Sequence, residues 1–196
     1  MTGSEEAGSA KRGIATHYFM QFCDLDRFVG EGSEAELKRL VDEQYISVKD
    51  GERVRIRELE AFRRSPLLRK MLGAKNLYRE LRFNVRLPAK YFTEDTERRA
   101  IYADETVLVQ GVIDCIIEDQ NGDLHLIDYK TDRLTKEERE TITLGEEKLR
   151  AAHTLQLSYY ALAIEEMFGK LPKTIGVYSL HLGKEVSITN RFSDEM

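Results

Sequence analysis

Three charged residues stand among apolar ones in the segment GVIDCIIEDQNGDLHLIDYKTD, residues 111–132: Asp114, Asp128 and Lys130. Side chains two positions apart on a strand share a face, so Asp128 and Lys130 project together. The dipeptide Asn121-Gly122 predicts a hairpin that brings Asp114 close to Asp128 across the ladder. Two adjacent carboxylates repel each other unless a cation joins them, and oxygen-rich sites suit Mg²⁺ or Mn²⁺.

Lys130 lies beside that predicted metal site, where an ammonium group can orient a water or offset charge that builds on a phosphorus atom. The alternative is an Asp–Lys ion pair on an exposed sheet face, which is the better interpretation of an isolated Asp-x-Lys. Here the tripeptide lies inside LIDYKTD, and GVID precedes it with its aspartate fourteen residues earlier. This combination is much more specific, and it favours a metal and a water held against a phosphodiester.

Composition predicts one domain with an appended helical lobe. The chain has 196 residues, of which 41% are hydrophobic and 33% charged, enough for a core and a well-solvated surface. Residues 1–12 are Gly-, Ser- and Glu-rich and predict a linker; 13–196 form the domain, with a helical lobe at about 13–73 and a catalytic core at about 76–183. No apolar run approaches the ~20 residues that span a bilayer, and the N-terminus lacks an apolar signal region. We expect a cytoplasmic protein without a membrane partner.

Charge and cysteine content limit the partners and cofactors. The net charge is −5, yet residues 53–90 carry twelve Lys and Arg against three Asp and Glu. That basic run is typical of a backbone-binding or docking face, and equally of a solvated helical surface. The two cysteines, Cys23 and Cys115, match no metal-binding spacing and predict reduced thiols. An iron–sulfur cluster held by this chain is excluded, because it needs four ligands.

Local signals predict that the first seventy residues are helical. Thr16 is a candidate N-cap for a helix that begins near His17 and ends at Gly30 and Gly32. The sequence SEAE at 33–36 predicts a capping box for a helix to about residue 43, and Ser47 caps a shorter one. A helix follows at about 55–64, and Ser65-Pro66 begins a short helix that closes at Gly73.

The pattern then alternates. Residues 76–92 predict a strand that Pro88 limits to an edge or a strand end. Two more strands flank the Asn-Gly turn, a helix follows at about 146–168, and a last strand at about 173–182 leads into a short tail at Gly183-Lys184. Helices, three strands, a helix and a strand predict an α/β or α+β fold with a mixed sheet.

With QLSYY at its last tyrosine, residue 160, and RGIATHYFMQF at 12–22, the motifs GVID and LIDYKTD resemble RecB-family nucleases of the PD-(D/E)XK superfamily. The resemblance spans about residues 12–182 and includes the nuclease domains of bacterial two-subunit helicase–nucleases. It implies a restriction-endonuclease-like core, with a central mixed sheet flanked by helices and an N-terminal helical lobe.

The resemblance also implies roles for individual residues. His17, Asp114, Asp128 and the carbonyl of Tyr129 would bind Mg²⁺, or Mn²⁺ in its place, and no organic cofactor is implied. Lys130 would position the attacking water, beside the catalytic carboxylates of Asp114 and Asp128. The remaining catalytic residues, Gln156 and Tyr160, would face the site and DNA from the next helix; their spacing of four residues independently places them on one helix face. Ile14 replaces a threonine common in the family, and Glu80 resembles a family glutamate to which we assign no catalytic role here.

The resulting hypothesis is a metal-dependent deoxyribonuclease, an exonuclease or an endonuclease, that belongs to a helicase–nuclease processing double-strand break ends for recombinational repair. Its partners would be DNA, helicase motor domains in the same parent chain and a second subunit; the sequence itself contains no G-x-x-x-x-G-K-[ST] motif. One alternative is a catalytically silent module that binds DNA or a partner protein of the same enzyme. Another is a stand-alone nuclease of a mobile element.

Overall fold

Six helices form the N-terminal part of the chain. The computed structural model describes residues 3–132 and 134–192, so the outer ends of the predicted linker and domain lie outside the described residues. The helices are α1 (Gly3–Phe22), α2 (Leu25–Glu31), α3 (Ser33–Asp42), α4 (Val48–Gly51), α5 (Ile56–Arg63) and α6 (Pro66–Leu72). We call α2–α6 the helical lobe.

Helix α1 corrects two predictions. It begins at Gly3, where composition predicted a linker, and Thr16 lies inside it rather than capping it. The Thr16 hydroxyl donates to the carbonyl of Arg12 at 3.0 Å, a bond to the preceding turn that satisfies a threonine within a helix. The helix ends at Phe22, earlier than the predicted glycines, because Asp24 caps α2 by accepting from Arg27 N at 3.0 Å.

The predicted serine caps have different outcomes. Ser47 and Ser65 cap α4 and α6 as predicted, each accepting from a backbone N–H three residues later. The capping box at Ser33 is wrong, because Gly32 occupies the N-cap position of α3. The Ser33 hydroxyl instead donates to Glu60 Oε1 at 2.6 Å and so ties α3 to α5. A tertiary acceptor has taken the hydroxyl that local sequence assigned to the helix end.

The five strands form one mixed sheet. They are β1 (Asn76–Pro88), β2 (Thr106–Glu118), β3 (Leu124–Lys130), β4 (Thr174–Ser179) and β5 (Lys184–Ser187). They lie in the order β1-β2-β3-β4-β5, with β3 and β4 parallel and the other neighbours antiparallel. The mixed sheet is confirmed, and so are the β2–β3 hairpin and the edge position of the strand that Pro88 ends.

Some elements differ from the sequence prediction. The helix between β3 and β4, α9 (Ile142–Phe168), begins about one turn earlier than predicted, and the predicted tail contains β5. A 3₁₀ turn (Ala89–Phe92), α7 (Thr96–Ile101) and α8 (Lys136–Glu140) were not predicted, because elements this short show too little periodicity. Within the described ranges, no helix is both long and apolar enough to cross a membrane.

The sheet separates two hydrophobic cores. On one face, β3 contributes Ile127 and Tyr129 to a core shared with α1 and the helical lobe. On the other face, Leu124 and Leu126 pack with residues of α9. We call these the lobe face and the α9 face. Asp128 and Lys130, which alternate with the lobe-face residues, project away from that core, as the sequence predicted.

The alternation of side chains reverses in the middle of β2. Cys115 and Ile117 belong to the lobe-face core, whereas Ile113 and Ile116 belong to the α9-face core. Asp114 contacts α1 and therefore faces the lobe side together with its neighbour Cys115. The prediction that Asp114 shares a face with Ile116 is therefore wrong, because a regular alternation was assumed along the whole strand.

Strand β1 is irregular at the same level. Glu80 has a φ of +52°, which is uncommon for a residue other than glycine and costs about 1–2 kcal/mol. Arg79, just before it, donates to the carbonyls of Met20 at 3.2 Å and Cys23 at 2.6 Å. These bonds satisfy carbonyls at the C-terminal end of α1 and fix that helix to the edge strand.

Glu60 generates a stability prediction. Hydrogen bonds from Arg63 and then Ser33 lower the pKa of Glu60 to about 2. Because the pKa is depressed in the folded state, the carboxylate stabilises the fold above its unfolded pKa, and this contribution is lost as pH falls toward 2. We expect Glu60→Gln to lower the free energy of unfolding by about 1 kcal/mol at pH 7, since the side chain is partly exposed.

Urea unfolding at pH 7 and at a series of lower pH values measures this effect. The difference between wild type and Glu60→Gln should shrink from pH 4.5 downward. Glu166→Gln, which changes an exposed glutamate on α9, is the matched control and should stay within about 0.5 kcal/mol of wild type. A difference for Glu60→Gln that is constant with pH would contradict the assignment.

Candidate metal and catalytic site

Three carboxylates lie at one level of the sheet. The pairs Arg79↔Cys115 and Leu81↔Ile113 place Glu80 level with Asp114. Continuing the pairing of Cys115 with Ile127 by one residue places Asp114 opposite Asp128. Asp114 and Asp128 are 8% and 2% exposed, so their negative charges are little screened by water. Such a row requires positive charge beside it.

His17 of α1 lies against this row. Its Nδ1 is 3.5 Å from Glu80 Oε1 and 3.4 Å from Asp114 Oδ1. The candidate ligand atoms of His17, Glu80 and Asp114 all lie within 4.8 Å of one another. One imidazole nitrogen and two carboxylate oxygens around a common point form a donor set that fits a divalent cation such as Mg²⁺ or Mn²⁺.

The backbone of β3 completes the surroundings of this group. The carbonyl of Tyr129 lies 3.0 Å from His17 Nε2, and the N–H of Tyr129 donates to Asp114 Oδ2 at 2.7 Å. Asp114 is thereby held by β3 while it also contacts α1. The Tyr129 side chain is buried in the lobe-face core, so the backbone atoms around the candidate ligands have a rigid base.

Helix α1 approaches β3 closely enough to deliver His17. A Cβ added at Gly13, one turn before His17, would lie 3.1 Å from Thr131 Oγ1. Ala15 and Phe19 are fully buried on the same helix. Together with the bonds from Arg79 to the end of α1, these contacts set the position of the His17 ring relative to the carboxylates.

The electrostatics of His17 show how the site is balanced without a metal. Burial lowers the pKa of His17, but hydrogen bonds and charge from Asp114 and Glu80 outweigh burial and raise the pKa to about 10. The ring is therefore an imidazolium at neutral pH, and its positive charge lies between the two carboxylates. A metal that bound there would displace this proton, because a histidine ligand must be neutral.

Asp128 and Lys130 form the second part of the site. Lys130 Nζ lies 2.6 Å from Asp128 Oδ2. Burial and then the charge of Asp114 raise the pKa of Asp128 to about 6, although Lys130 opposes this. Burial lowers the pKa of Lys130, but Asp128 outweighs it and the pKa is raised. Lys130 therefore remains an ammonium group with donors directed at the site.

Helix α9 reaches the same place from the other face. Gln156 Oε1 accepts from Lys130 Nζ at 3.4 Å, and Gln156 Nε2 donates to the Tyr160 hydroxyl at 3.0 Å. The Tyr160 ring packs edge-on against Phe83, with 5.5 Å between ring centroids. A Cβ at Gly111 would lie 2.7 Å from the Phe83 ring. The close backbone approach predicted at Gly111 is therefore present, and it makes room for these aromatic side chains.

The structure distributes the sequence-predicted residues over two adjoining groups. His17, Asp114 and the Tyr129 carbonyl lie together and are joined by Glu80. Asp128 lies with Lys130, and this pair continues to Gln156 and Tyr160. Within the described part of the chain, the compact set of ligand atoms includes Glu80 and not Asp128. Sequence analysis noted Glu80 only as a family-like glutamate, because nothing local indicates which residue of β1 is level with Asp114.

Two openings reach the site from solvent. One cavity, of about 170 Å³, is lined by Ala10, Gly13, His17, Tyr129, Lys130, Thr131 and Asp132. The other, of about 300 Å³, is lined by Gly13, Ile14, His17, Tyr18, Gln21 and Glu80. Sequence analysis assigned no role to Thr131 or Asp132. Asp132 lies 3.2 Å from His153 Nε2, and the position of that histidine three residues before Gln156 was the only signal for it.

The fold and these two groups define a class of protein. The profile of the PD-(D/E)XK nuclease superfamily matches residues 2–193, and the chain belongs to that superfamily. The recognition made from GVID, LIDYKTD and QLSYY is confirmed, and so is the predicted fold class.

Individual relatives narrow the comparison, and three of them bear the name of the same ATP-dependent helicase/nuclease subunit. The chain is 33% identical over 171 residues to that of Thermoanaerobacter sp. (strain X514), covering 87% of this chain and 13% of that protein. The Acetivibrio thermocellus protein is 34% identical over 169 residues, covering 86% and 12%. The Clostridium perfringens (strain SM101) protein is 31% identical over 191 residues, covering 94% and 14%. The chain thus spans about one eighth of the length of these relatives.

The inclusion of Glu80 in the ligand group generates a prediction. We expect Glu80→Gln to weaken Mn²⁺ binding by about 10- to 100-fold, because an anionic oxygen ligand becomes neutral. Isothermal titration calorimetry of the purified chain measures the affinity. Glu185→Gln, an exposed glutamate on β5, makes the same charge change at the other edge of the sheet and should leave the affinity unchanged. Equal affinities for both variants would remove Glu80 from the ligand set.

Proposed function

We propose that the chain is a Mg²⁺-dependent deoxyribonuclease that hydrolyses phosphodiester bonds, with Mn²⁺ able to replace Mg²⁺. The observation that carries the proposal is the convergence of His17, Glu80 and Asp114 within 4.8 Å, next to the Asp128–Lys130 pair at 2.6 Å. A metal-binding donor set and a buried, charged lysine side by side are what hydrolysis of a phosphodiester requires.

The metal ligands in this proposal are His17, Asp114 and Glu80, with the Tyr129 carbonyl beside them and Asp128 on the next strand. When bound, a divalent cation supplies Lewis-acid chemistry, which lowers the pKa of water and stabilises charge on the phosphoryl oxygens. The row of carboxylates holds it, and the buried Tyr129 and the contacts of α1 keep the ligands in position. His17 contributes a neutral ring nitrogen in that state.

Lys130 positions the attacking water in this proposal. Its ammonium group is held by Asp128 on one side and by Gln156 on the other, so a remaining proton can be donated toward a water or a phosphoryl oxygen. Gln156 is oriented by its bond to the Tyr160 hydroxyl. The pair extends the polar surface from the catalytic group along α9, where it faces a bound DNA strand.

The relatives are named as subunits of an ATP-dependent helicase/nuclease, and this supports a setting for the activity. We place the domain in a cytoplasmic helicase–nuclease that processes double-strand break ends for recombinational repair, with a second subunit and with motor domains in the parent chain. Motor domains that deliver the strand raise its effective concentration at the site, so the nuclease domain needs little DNA affinity of its own. The net charge of −5 is compatible with that arrangement.

Cleavage of linear single- and double-stranded DNA by the purified chain tests the activity. We expect degradation with Mg²⁺ or Mn²⁺ and none with EDTA. Lys130→Gln should lower the cleavage rate by about 10²–10³-fold, because it removes the charged donor beside the reacting phosphate. Asp128→Ala should abolish metal-dependent cleavage.

Lys38→Gln, at an exposed lysine on α3, is the control for loss of a positive charge and should cleave like wild type. Thermal unfolding of each variant shows whether the fold is retained. Full activity in EDTA, or in Lys130→Gln, would overturn the proposal. An inactive wild type that still binds Mn²⁺ would favour the catalytically silent module instead.

A further inference from the structure

Strands β1 and β2 continue beyond the three-carboxylate level as a two-stranded ribbon. The pairs that follow are Arg82↔Val112, Asn84↔Gln110 and Arg86↔Leu108. All six of these side chains are exposed, whereas the alternating residues Phe83, Val85 and Leu87 are buried in the α9-face core. One face of the ribbon is therefore anchored, and the opposite face is open to solvent. We call the open face, with its six side chains, the ribbon face.

The ribbon face continues the surface that carries Glu80 and Asp114. From Glu80 outward the alternation in β1 is regular, so Arg82 and Arg86 project to the same side as Glu80. At a rise of about 3.3 Å per residue, Arg82 lies about 7 Å and Arg86 about 20 Å along the strand from Glu80. The two arginines therefore form a straight line that leads away from the candidate metal group.

Arg82 and Arg86 differ from the other arginines by having no protein partner. Among the arginines whose side chains the structure describes, three form no hydrogen bond or ion pair through the side chain: Arg57, Arg82 and Arg86. Elsewhere the guanidinium groups bind carboxylates or carbonyls of the same lobe. Two unpaired guanidinium groups on one open face, without a carboxylate among the six side chains, are complementary to a row of anions.

The other residues of the ribbon face indicate the kind of anion. Leu108 and Val112 are 54% and 37% exposed, and each is the cross-strand partner of an arginine. Asn84 and Gln110 lie between these pairs and offer both donors and acceptors. A surface that alternates cationic groups with apolar and amide groups suits a polymer that carries regularly spaced phosphates and unpaired bases.

We propose that single-stranded DNA lies along the ribbon face, with its phosphates on Arg82 and Arg86, and that this face leads the strand to the metal group. The inference rests on the proposed nuclease function for the identity of the polymer and adds the path that the strand takes. It assigns part of the basic run 53–90 to DNA rather than to a solvated surface. Duplex DNA binds less well, because its paired bases cannot reach Leu108 and Val112.

Fluorescence anisotropy with a labelled oligo-dT in EDTA tests the path, because no cleavage occurs without metal. Each phosphate contact contributes about 0.7 to the slope of log affinity against log salt for a single strand, or about 5-fold in affinity between 1 M and 0.1 M salt. We expect Arg82→Gln and Arg86→Gln each to lower the slope by about 0.7, and the double variant by about 1.4 with about 25-fold weaker binding at 0.1 M salt.

Arg57→Gln is the matched control, since Arg57 is also exposed and unpaired but lies on α5, beside Leu180 and Gly183 at the far side of the sheet. It should bind oligo-dT like wild type. The lysine variants Arg82→Lys and Arg86→Lys should keep the wild-type slope, because the charge is retained. Thermal unfolding confirms that these exposed substitutions leave the fold intact.

The outcomes separate this inference from the nuclease proposal. If the three glutamine variants bind alike, or if wild type does not bind oligo-dT, the ribbon path is overturned, whatever the cleavage assay shows. If wild type binds duplex DNA more tightly than oligo-dT, the assignment to a single strand is overturned. If the slopes fall as expected but Mg²⁺ supports no cleavage, the nuclease proposal fails and the ribbon remains a DNA-binding face. An acidic protein segment as the occupant would predict weak DNA binding that is insensitive to both arginines.

Discussion

Negative charge concentrated at one level of the sheet is the constraint around which the rest of the molecule is arranged. Glu80, Asp114 and Asp128 lie on three adjacent strands, and two like charges about 5 Å apart repel by about 3 kcal/mol at an effective dielectric constant of 20. The chain opposes this repulsion with the imidazolium of His17 and the ammonium of Lys130. Both cations come from elements whose positions are determined by packing, so the charge balance and the fold depend on each other.

The backbone is irregular at the same level. Glu80 adopts a positive φ, and in β2 the side-chain alternation reverses between Asp114 and Cys115. These two irregularities turn both carboxylates toward α1, while the flanking apolar residues still reach their cores. Unfavourable backbone conformations persist only where the surroundings determine them strongly. Here Arg79 supplies that support, because it binds the end of α1 from the position next to Glu80.

The site is also divided between the two faces of the sheet. His17 approaches from α1 on the lobe face, and Gln156 with Tyr160 approaches from α9 on the other face. They meet at the end of β3, where the Tyr129 carbonyl contacts His17 and the next residue, Lys130, contacts Gln156. Neither helix alone forms the site, and the position of β3 between two buried cores keeps its halves in register.

Local patterns in the sequence determined the hairpin, the projection of Asp128 with Lys130, the caps at Ser47 and Ser65, and the mixed sheet with its proline-ended edge strand. Each depends on residues a few positions apart, which is the range over which turn chemistry and strand alternation act. Only the tertiary structure decided that Glu80 joins His17 and Asp114, that Asp114 turns away from the side of Ile116, and that Ser33 bonds Glu60 instead of capping its helix. These outcomes depend on strand register, on one positive φ and on partners far apart along the chain, and no periodicity along the chain encodes them.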